Sequence, residues 1–283
     1  MWDIKTVTTL EIVETVARLC MEANYYLGSD VLKCFHERQE VEISQTGKDI
    51  LKQLILNAKI AAEEQVPMCQ DTGFAVVFLE IGQEVSVTGG NLYDAVNEGV
   101  RKGYTEGYLR KSIVDHPLSR KNTGDNTPAV IHTKIVDGES IRITVAPKGG
   151  GSENMSAIRM LKPAEGIEGV KKFIVDTIKA AGPNPCPPIV VGVGIGGTFE
   201  KSASLAKEAL LRELGKPSEI PDIASLEKDL LDDINNLGIG PQGLGGRTTA
   251  LAVHVEIYPC HIASLPVAVN INCHAARHKE AIL

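Results

Sequence analysis

The chain has 283 residues, 43% hydrophobic and 23% charged, with a formal net charge of −7. That is an ordinary globular composition, long enough to bury a sizeable core. The acidic balance without a basic cluster argues against a nucleic-acid face, and no apolar stretch approaches the roughly 20 residues that span a bilayer.

The first residues, Met1-Trp2-Asp3-Ile4-Lys5, lack the basic-then-apolar pattern of a secretory signal, so a cytoplasmic protein is expected. The six cysteines are then expected as thiols or metal ligands, not disulfides. No CxxC pair occurs, which sets aside a zinc ribbon and a thioredoxin motif.

The N-terminal part, roughly residues 1–66, reads as helical. Thr8 or Thr9 caps a helix in which Ile12, Val13, Val16, Leu19 and Cys20 recur at helical spacing. Asp30 is expected to cap a second helix through Val31, Leu32 and Phe35. Thr46-Gly47 opens a third, with Ile50, Leu51, Leu54, Ile55 and Ala58 as its apolar stripe. That helix delivers the chain to Met68-Cys69-Gln70-Asp71-Thr72-Gly73, a thiol, an amide and a carboxylate at the mouth of an apolar strand over 74–80. A short strand follows around Val85-Ser86-Val87, and Asn91 caps a helix through Ala95, Val96 and Val100.

Residues 106–128 form a long polar segment with Arg110, Lys111, His116, Arg120 and Lys121, a length uncommon for a structureless loop. Two strands, 129–136 and 140–145, are expected to pair as a hairpin across Asp137-Gly138. In Gly149-Gly150-Gly151-Ser152-Glu153-Asn154 the glycines permit close backbone approach, and the exposed N–H groups suit an anion. Pro163 starts a helix ending near Gly182.

Pro183-Asn184-Pro185-Cys186-Pro187-Pro188 cannot be helical and holds Cys186 before the strand 189–195. Gly194-Ile195-Gly196-Gly197-Thr198 is not G-x-G-x-x-G, because Phe199 stands where the third glycine belongs; a tight strand-to-helix turn is expected, not a dinucleotide loop. Helices over 202–214 and 225–237 follow, then a second glycine-rich loop, 238–247. Strands over 250–257 and 265–271 flank Pro259-Cys260-His261, and Asn272-Cys273-His274 ends the second. Arg277, His278 and Lys279 make a short basic tail.

Cys69 and Cys186 each sit in a proline-bearing loop before an apolar strand, and Cys273 sits just past one. If those strands share a sheet, the thiols converge. Three thiolates suit a soft metal, zinc or an iron–sulfur cluster. A cluster takes four cysteines as a rule; with three, one iron stays open. Cys260 is a possible fourth ligand, while Cys20 and Cys34 read as packing residues.

The four motifs Cys69-Gln70-Asp71-Thr72-Gly73, Gly149-Gly150-Gly151-Ser152-Glu153-Asn154, Gly192-Val193-Gly194-Ile195-Gly196-Gly197-Thr198 and Gly243-Leu244-Gly245-Gly246 occur in this order. Together they closely resemble the alpha subunit of class I, iron–sulfur fumarate hydratase and L-tartrate dehydratase, over roughly residues 10 to 275. The resemblance implies a [4Fe–4S] cluster on Cys69, Cys186 and Cys273. It implies substrate contacts from Gln70, Asp71, Arg110, Gly150 and His261, with Asp71 as a proton-transfer group. It also implies a separate beta subunit supplying the catalytic base and further carboxylate-binding residues.

The expected activity is reversible hydration of fumarate to L-malate, with L-tartrate or mesaconate as alternative substrates. A non-catalytic cluster protein is the competing class; Asp71, Arg110 and the tri-glycine loop speak against it, since a sensor needs no carboxylate pocket. A zinc or NAD enzyme is the third reading. The expected fold is mixed α/β, an N-terminal helical region plus a β-sheet layer flanked by helices, in a single domain over 1–283.

Overall fold

The computed structural model describes residues 5–283. In chain order the elements are β1 (Lys5–Thr8), α1 (Thr9–Tyr25), α2 (Ser29–Val41), α3 (Gln45–Glu64), β2 (Phe74–Gly82), β3 (Val85–Thr88) and α4 (Leu92–Glu106). Then come β4 (Val130–Val136), β5 (Ile141–Lys148), α5 (Gly150–Glu153), β6 (Ala157–Leu161), α6 (Gly166–Ala181), β7 (Ile189–Gly196) and α7 (Phe199–Ala209). The last are α8 (Pro221–Asn235), β8 (Ala250–Tyr258), β9 (Leu265–Asn272) and β10 (Lys279–Ile282). The mixed α/β class expected from the sequence is what forms. Among the described residues, no helix is long and apolar enough to cross a membrane.

Contacts divide the chain into two compact units. The first holds residues 5–27, 58–150 and 277–283, and the second holds 28–57 and 151–276.

In the first unit β10, β5, β2 and β4 form one sheet in that order, and β1 pairs with β3 in a small parallel ribbon. The 129–145 hairpin does not form. β2 lies between the two strands, parallel to β4 and antiparallel to β5. The link from β4 to β5 instead crosses the end of β2, where the Gln83 amide donates to Val136 O and the Glu84 amide to Gly138 O. Gly82 makes this possible, since a Cβ there would lie 2.2 Å from the Gly138 carbonyl. The expected basic tail is also corrected: Lys279 to Ile282 pair antiparallel with β5.

Helix α1 starts as its sequence dictates, with Thr8 and Glu11 in a reciprocal capping box. Asn91 likewise accepts from the amides of Tyr93 and Asp94 to start α4. Ile12, Val16 and Leu19 of α1 pack with Val96, Val100 and Tyr104 of α4 over Val77, Leu79, Ile141 and Ile143 of the sheet. Gly99 and Gly103 let the helices touch, as Cβ atoms there would meet the carbonyls of Val13 and Ala17 at 2.8 and 2.6 Å.

In the second unit the sheet order is β6-β9-β7-β8, with β7 parallel to β8 and antiparallel to β9. Alternation along β7 separates its two faces. Val191 and Val193 join the α6 and α8 side chains Val170, Ile174, Leu226 and Leu230 in one core. Gly192 and Gly194 face α7, where Cβ atoms would fall 2.1 Å from Ala206 O and 2.0 Å from Ser202 O. The glycine run is thus a packing surface ending in a strand-to-helix turn. The outer edge of β8 is satisfied by side chains: Asn235 Oδ1 accepts from Thr249 and Ala250, and Glu227 Oε1 from Val255. Asp30 does not cap α2. Gly28 holds that place, and Asp30 Oδ2 instead accepts from the Leu214 amide at 2.9 Å.

Candidate active site

The Cys69 loop of the first unit is pinned residue by residue. The Met68 amide donates to Asn24 O at 3.0 Å. Gly73 turns the chain at φ +73°, and a Cβ there would lie 2.6 Å from Lys148 backbone atoms. Tyr104, fully buried in α4, donates to both Thr72 O at 2.8 Å and Gly73 O at 3.0 Å. Burial pushes the Tyr104 phenol well above its ordinary range, so it serves as a donor. Buried Asn126 donates to Gly73 O at 3.1 Å and accepts from the Ser112 amide at 2.7 Å, which fastens the long polar segment to this loop.

Asp71 is held by two backbone amides. Its Oδ1 accepts from Gly73 at 3.0 Å and its Oδ2 from Gly150 at 2.8 Å. The anion that the tri-glycine segment receives is therefore the Asp71 carboxylate of the same unit. Arg110 is exposed, and its carbonyl accepts from the Thr72 hydroxyl at 3.1 Å, which fixes its main chain beside the loop. Gln70 is exposed at the loop surface.

Arg277 went unrecognised in the sequence, where it reads as part of a basic tail. It is 5% exposed, and its Nη2 donates to the Asp71 carbonyl at 2.5 Å. Among the described residues, its buried Nε and Nη1 meet no hydrogen-bond partner. Burying a cation with unmet donors is costly unless a negative group lies beside it.

In the second unit, Cys186 and Cys273 sit at one end of the sheet, before β7 and after β9. They are neighbours: the His274 amide donates to the Cys186 carbonyl at 3.2 Å. Cys186 is exposed and stands at φ +54°, unusual for a residue with a Cβ. The start of β8 at this end is held by Glu42, which is 2% exposed. Its carboxylate accepts from the amides of Ile43, Ser44, Arg247 and Thr248 at 2.7–3.1 Å. Burial alone would raise its pKa, but hydrogen bonds from Ser44, Thr248 and Arg247 outweigh that and bring it down to about 2. Glu153, after the tri-glycine run, is fixed by Lys207 at 2.8 Å and by Asn270 of β9 at 2.8 Å.

His261 and Cys260 lie elsewhere. They connect the end of β8 to the start of β9, the opposite end of the sheet from Cys186 and Cys273. The eight residues of β7 separate the two ends by about 25 Å. His261 Nδ1 accepts from the Ala263 amide in a local turn, and Cys260 Sγ points at Ser264 O. Cys260 is thereby removed as a fourth ligand beside that cysteine pair. Cys20 is a core residue whose thiol burial pushes up to about 12. Among the described residues, no three His, Cys, Asp or Glu side chains converge to hold a single metal ion. A cluster is less demanding, because it carries each thiolate on a separate iron. Within the first unit, the unmet donors of buried Arg277 beside the Cys69 loop suit an anionic group.

The profile of a family described as Fumarate hydratase (Fumerase) matches residues 13–282. The chain belongs to the fumarate hydratase family. Membership makes it a hydro-lyase. A Methanocaldococcus jannaschii protein, provisionally named as the alpha subunit of an L(+)-tartrate dehydratase, is 48% identical over 275 residues, 95% of this chain and 96% of that one. The L(+)-tartrate dehydratase subunit alpha of Escherichia coli K12 is 34% identical over 270 residues, covering 94% of this chain and 89% of its own length. The protein of that name from Shigella sonnei matches equally, 34% over 270 residues.

Proposed function

We propose that the chain is the alpha subunit of an iron–sulfur hydro-lyase that hydrates fumarate reversibly to L-malate, working with a beta subunit in the cytoplasm. Cys69, Cys186 and Cys273 are the three ligands of a [4Fe–4S] cluster. When bound, such a cluster supplies a Lewis-acid iron with an open position for an oxygen of the substrate.

The chain's own residues do the rest. Asp71 lies two residues from Cys69 in the same loop, and each of its oxygens has one lone pair committed to a backbone amide. That fixes the carboxylate while leaving its other lone pairs to take a proton from the substrate hydroxyl or from water. Arg277 holds the Asp71 main chain from beneath and brings a fixed positive charge. Arg110 offers a two-pronged clamp to a carboxylate, Gln70 an amide, and Gly150, whose N–H is committed to Asp71, close approach without a side chain. The base acting at carbon comes from the beta subunit. His261 is a substrate contact in this reading, but the reading does not rest on it, given its distance from the cysteine pair.

The observation that carries the proposal is the Asp71 carboxylate locked between two amides in the loop that bears Cys69. L-Tartrate is the second substrate to test, favoured by the names of the relatives at 48% and 34% identity.

The test is anaerobic purification with the beta subunit, iron and sulfide counts, and assays on fumarate, L-malate and L-tartrate. Close to four irons and four sulfides per alpha chain, lost in Cys69→Ser, Cys186→Ser and Cys273→Ser but kept in Cys20→Ser, is expected. Iron retained in the three variants would sink the assignment. Turnover of tartrate alone would change the substrate and keep the chemistry.

A further inference from the structure

The glycine-rich loop 238–247 is left without a task by the function above. It carries no thiol and no ionised side chain except Arg247, which faces Asn236. Glycines 238, 240, 243, 245 and 246 in it all adopt positive φ. Gln242 does so too, at φ +52° and ψ +19°, a conformation that glycine adopts without strain and a residue with a Cβ does not. A glutamine kept at such a position, among glycines, points to work for its side chain.

That side chain lies between the two cysteine segments. The main-chain N–H of Gln242 and its side-chain Nε2 both donate to the Pro187 carbonyl, at 2.7 and 2.8 Å. The same Nε2 stands 3.3 Å from His274 Nδ1. Pro187 directly follows Cys186, and His274 directly follows Cys273. One amide group therefore bridges the residue after one thiol to the residue after the other. His274 Nδ1 also stands 3.3 Å from the Cys186 carbonyl: with the ring proton on Nε2 it accepts the second amide proton of Gln242, and with the proton on Nδ1 it donates to Cys186 O. The loop is anchored at its far end by Glu42, through the Arg247 and Thr248 amides, and in its middle by the Gly240 amide on Thr249 Oγ1 at 3.1 Å. Gly243 lies against Pro183, where a Cβ would fall 2.3 Å from Pro183 Cβ, so the loop also supports the start of the Cys186 segment.

We propose that Gln242 is a positioning residue that sets the separation and orientation of the Cys186 and Cys273 thiols, and that loop 238–247, anchored on Glu42, presents it there. The inference rests on reading those thiols as ligands, but its test needs no metal.

The full-length, metal-free chain is treated anaerobically with a bis-alkylating bimane that fluoresces only after both arms react. Peptide mapping then gives the rate of Cys186–Cys273 cross-linking. Gln242→Gly keeps the main-chain N–H, relieves the backbone and deletes the amide. Gln242→Glu keeps the bulk and replaces the donor by an acceptor. Both are expected to slow cross-linking by about fivefold, the effect of one lost hydrogen bond, with the protection of buried Cys20 unchanged. A rate within about twofold of the unaltered chain in either variant would overturn the proposal, one hydrogen bond being worth more than that. Faster alkylation of Cys20 would show general loosening and would overturn it as well. A missing iron in the unaltered protein would defeat the cluster assignment and leave this result standing.

Discussion

The two ends of the second unit's sheet differ in how they are held. At the end that carries Cys186 and Cys273, a buried carboxylate gathers four amides, and one glutamine joins two segments. At the other end, Cys260, His261 and Ile262 are exposed, and Ile262 is 91% exposed. There the connection is held by short-range bonds such as Ala263 N to His261 Nδ1. Both ends bear a cysteine and a histidine next to each other. The contrast teaches that the same residue pair can sit in a backbone fixed from distant segments or in a local turn.

The largest effect that would break this comparison is a ligand replacement. Cys273→Ser is expected to remove essentially all bound iron, whereas Cys260→Ser leaves it in place; equal losses, read by metal analysis, would erase the distinction between the two ends. Next is Glu42→Ala, which strands the amides of Ile43, Ser44, Arg247 and Thr248. A loss of about 3 kcal/mol in urea unfolding is expected. In the first unit, Tyr104→Phe leaves the Thr72 carbonyl without its buried donor and the Gly73 carbonyl with Asn126 alone, and should cost about 1–2 kcal/mol.

The pH dependence sharpens the picture further. His254 is buried on β8; burial first and the Arg212 charge second lower its pKa to about 4, against smaller opposing effects from Glu227 and Asp30. Glu42 is lowered to about 2. In both cases the unfolded chain takes up its proton at a higher pH than the folded one. Stability present at neutral pH is therefore lost as pH falls from about 6.5 to 4 through His254, and from about 4.5 to 2 through Glu42. Urea midpoints measured across this range should decline, and His254→Gln should flatten the upper part. The smallest expected effect is His261→Ala, within about 0.5 kcal/mol in stability.

Local order was legible in the sequence wherever a few neighbouring residues decide it. Thr8 with Glu11, and Asn91, start their helices because a capping side chain reaches only the next turn. Asp30 misled because a carboxylate near a helix start can also serve a distant amide, here that of Leu214. The hairpin over 129–145 failed for a similar reason: Asp137-Gly138 permits a turn, but which strand lies alongside depends on β2, some fifty residues earlier.

The candidate site divides along the same line. Sequence by itself determined the family and singled out the proposed cysteine ligands and the Cys-Gln-Asp loop, because reactive groups must be present as residue types in recognisable motifs. Only the tertiary structure decided that Cys186 and Cys273 are neighbours while Cys260 and His261 are about 25 Å away along β7. It alone turned Arg277 from tail to buried cation under Asp71, and made Tyr104, Asn126, Glu42 and Gln242 the fixings of the loops. Those roles consist of hydrogen bonds between segments far apart in the chain, and a linear sequence carries no mark of which distant carbonyl a side chain will meet.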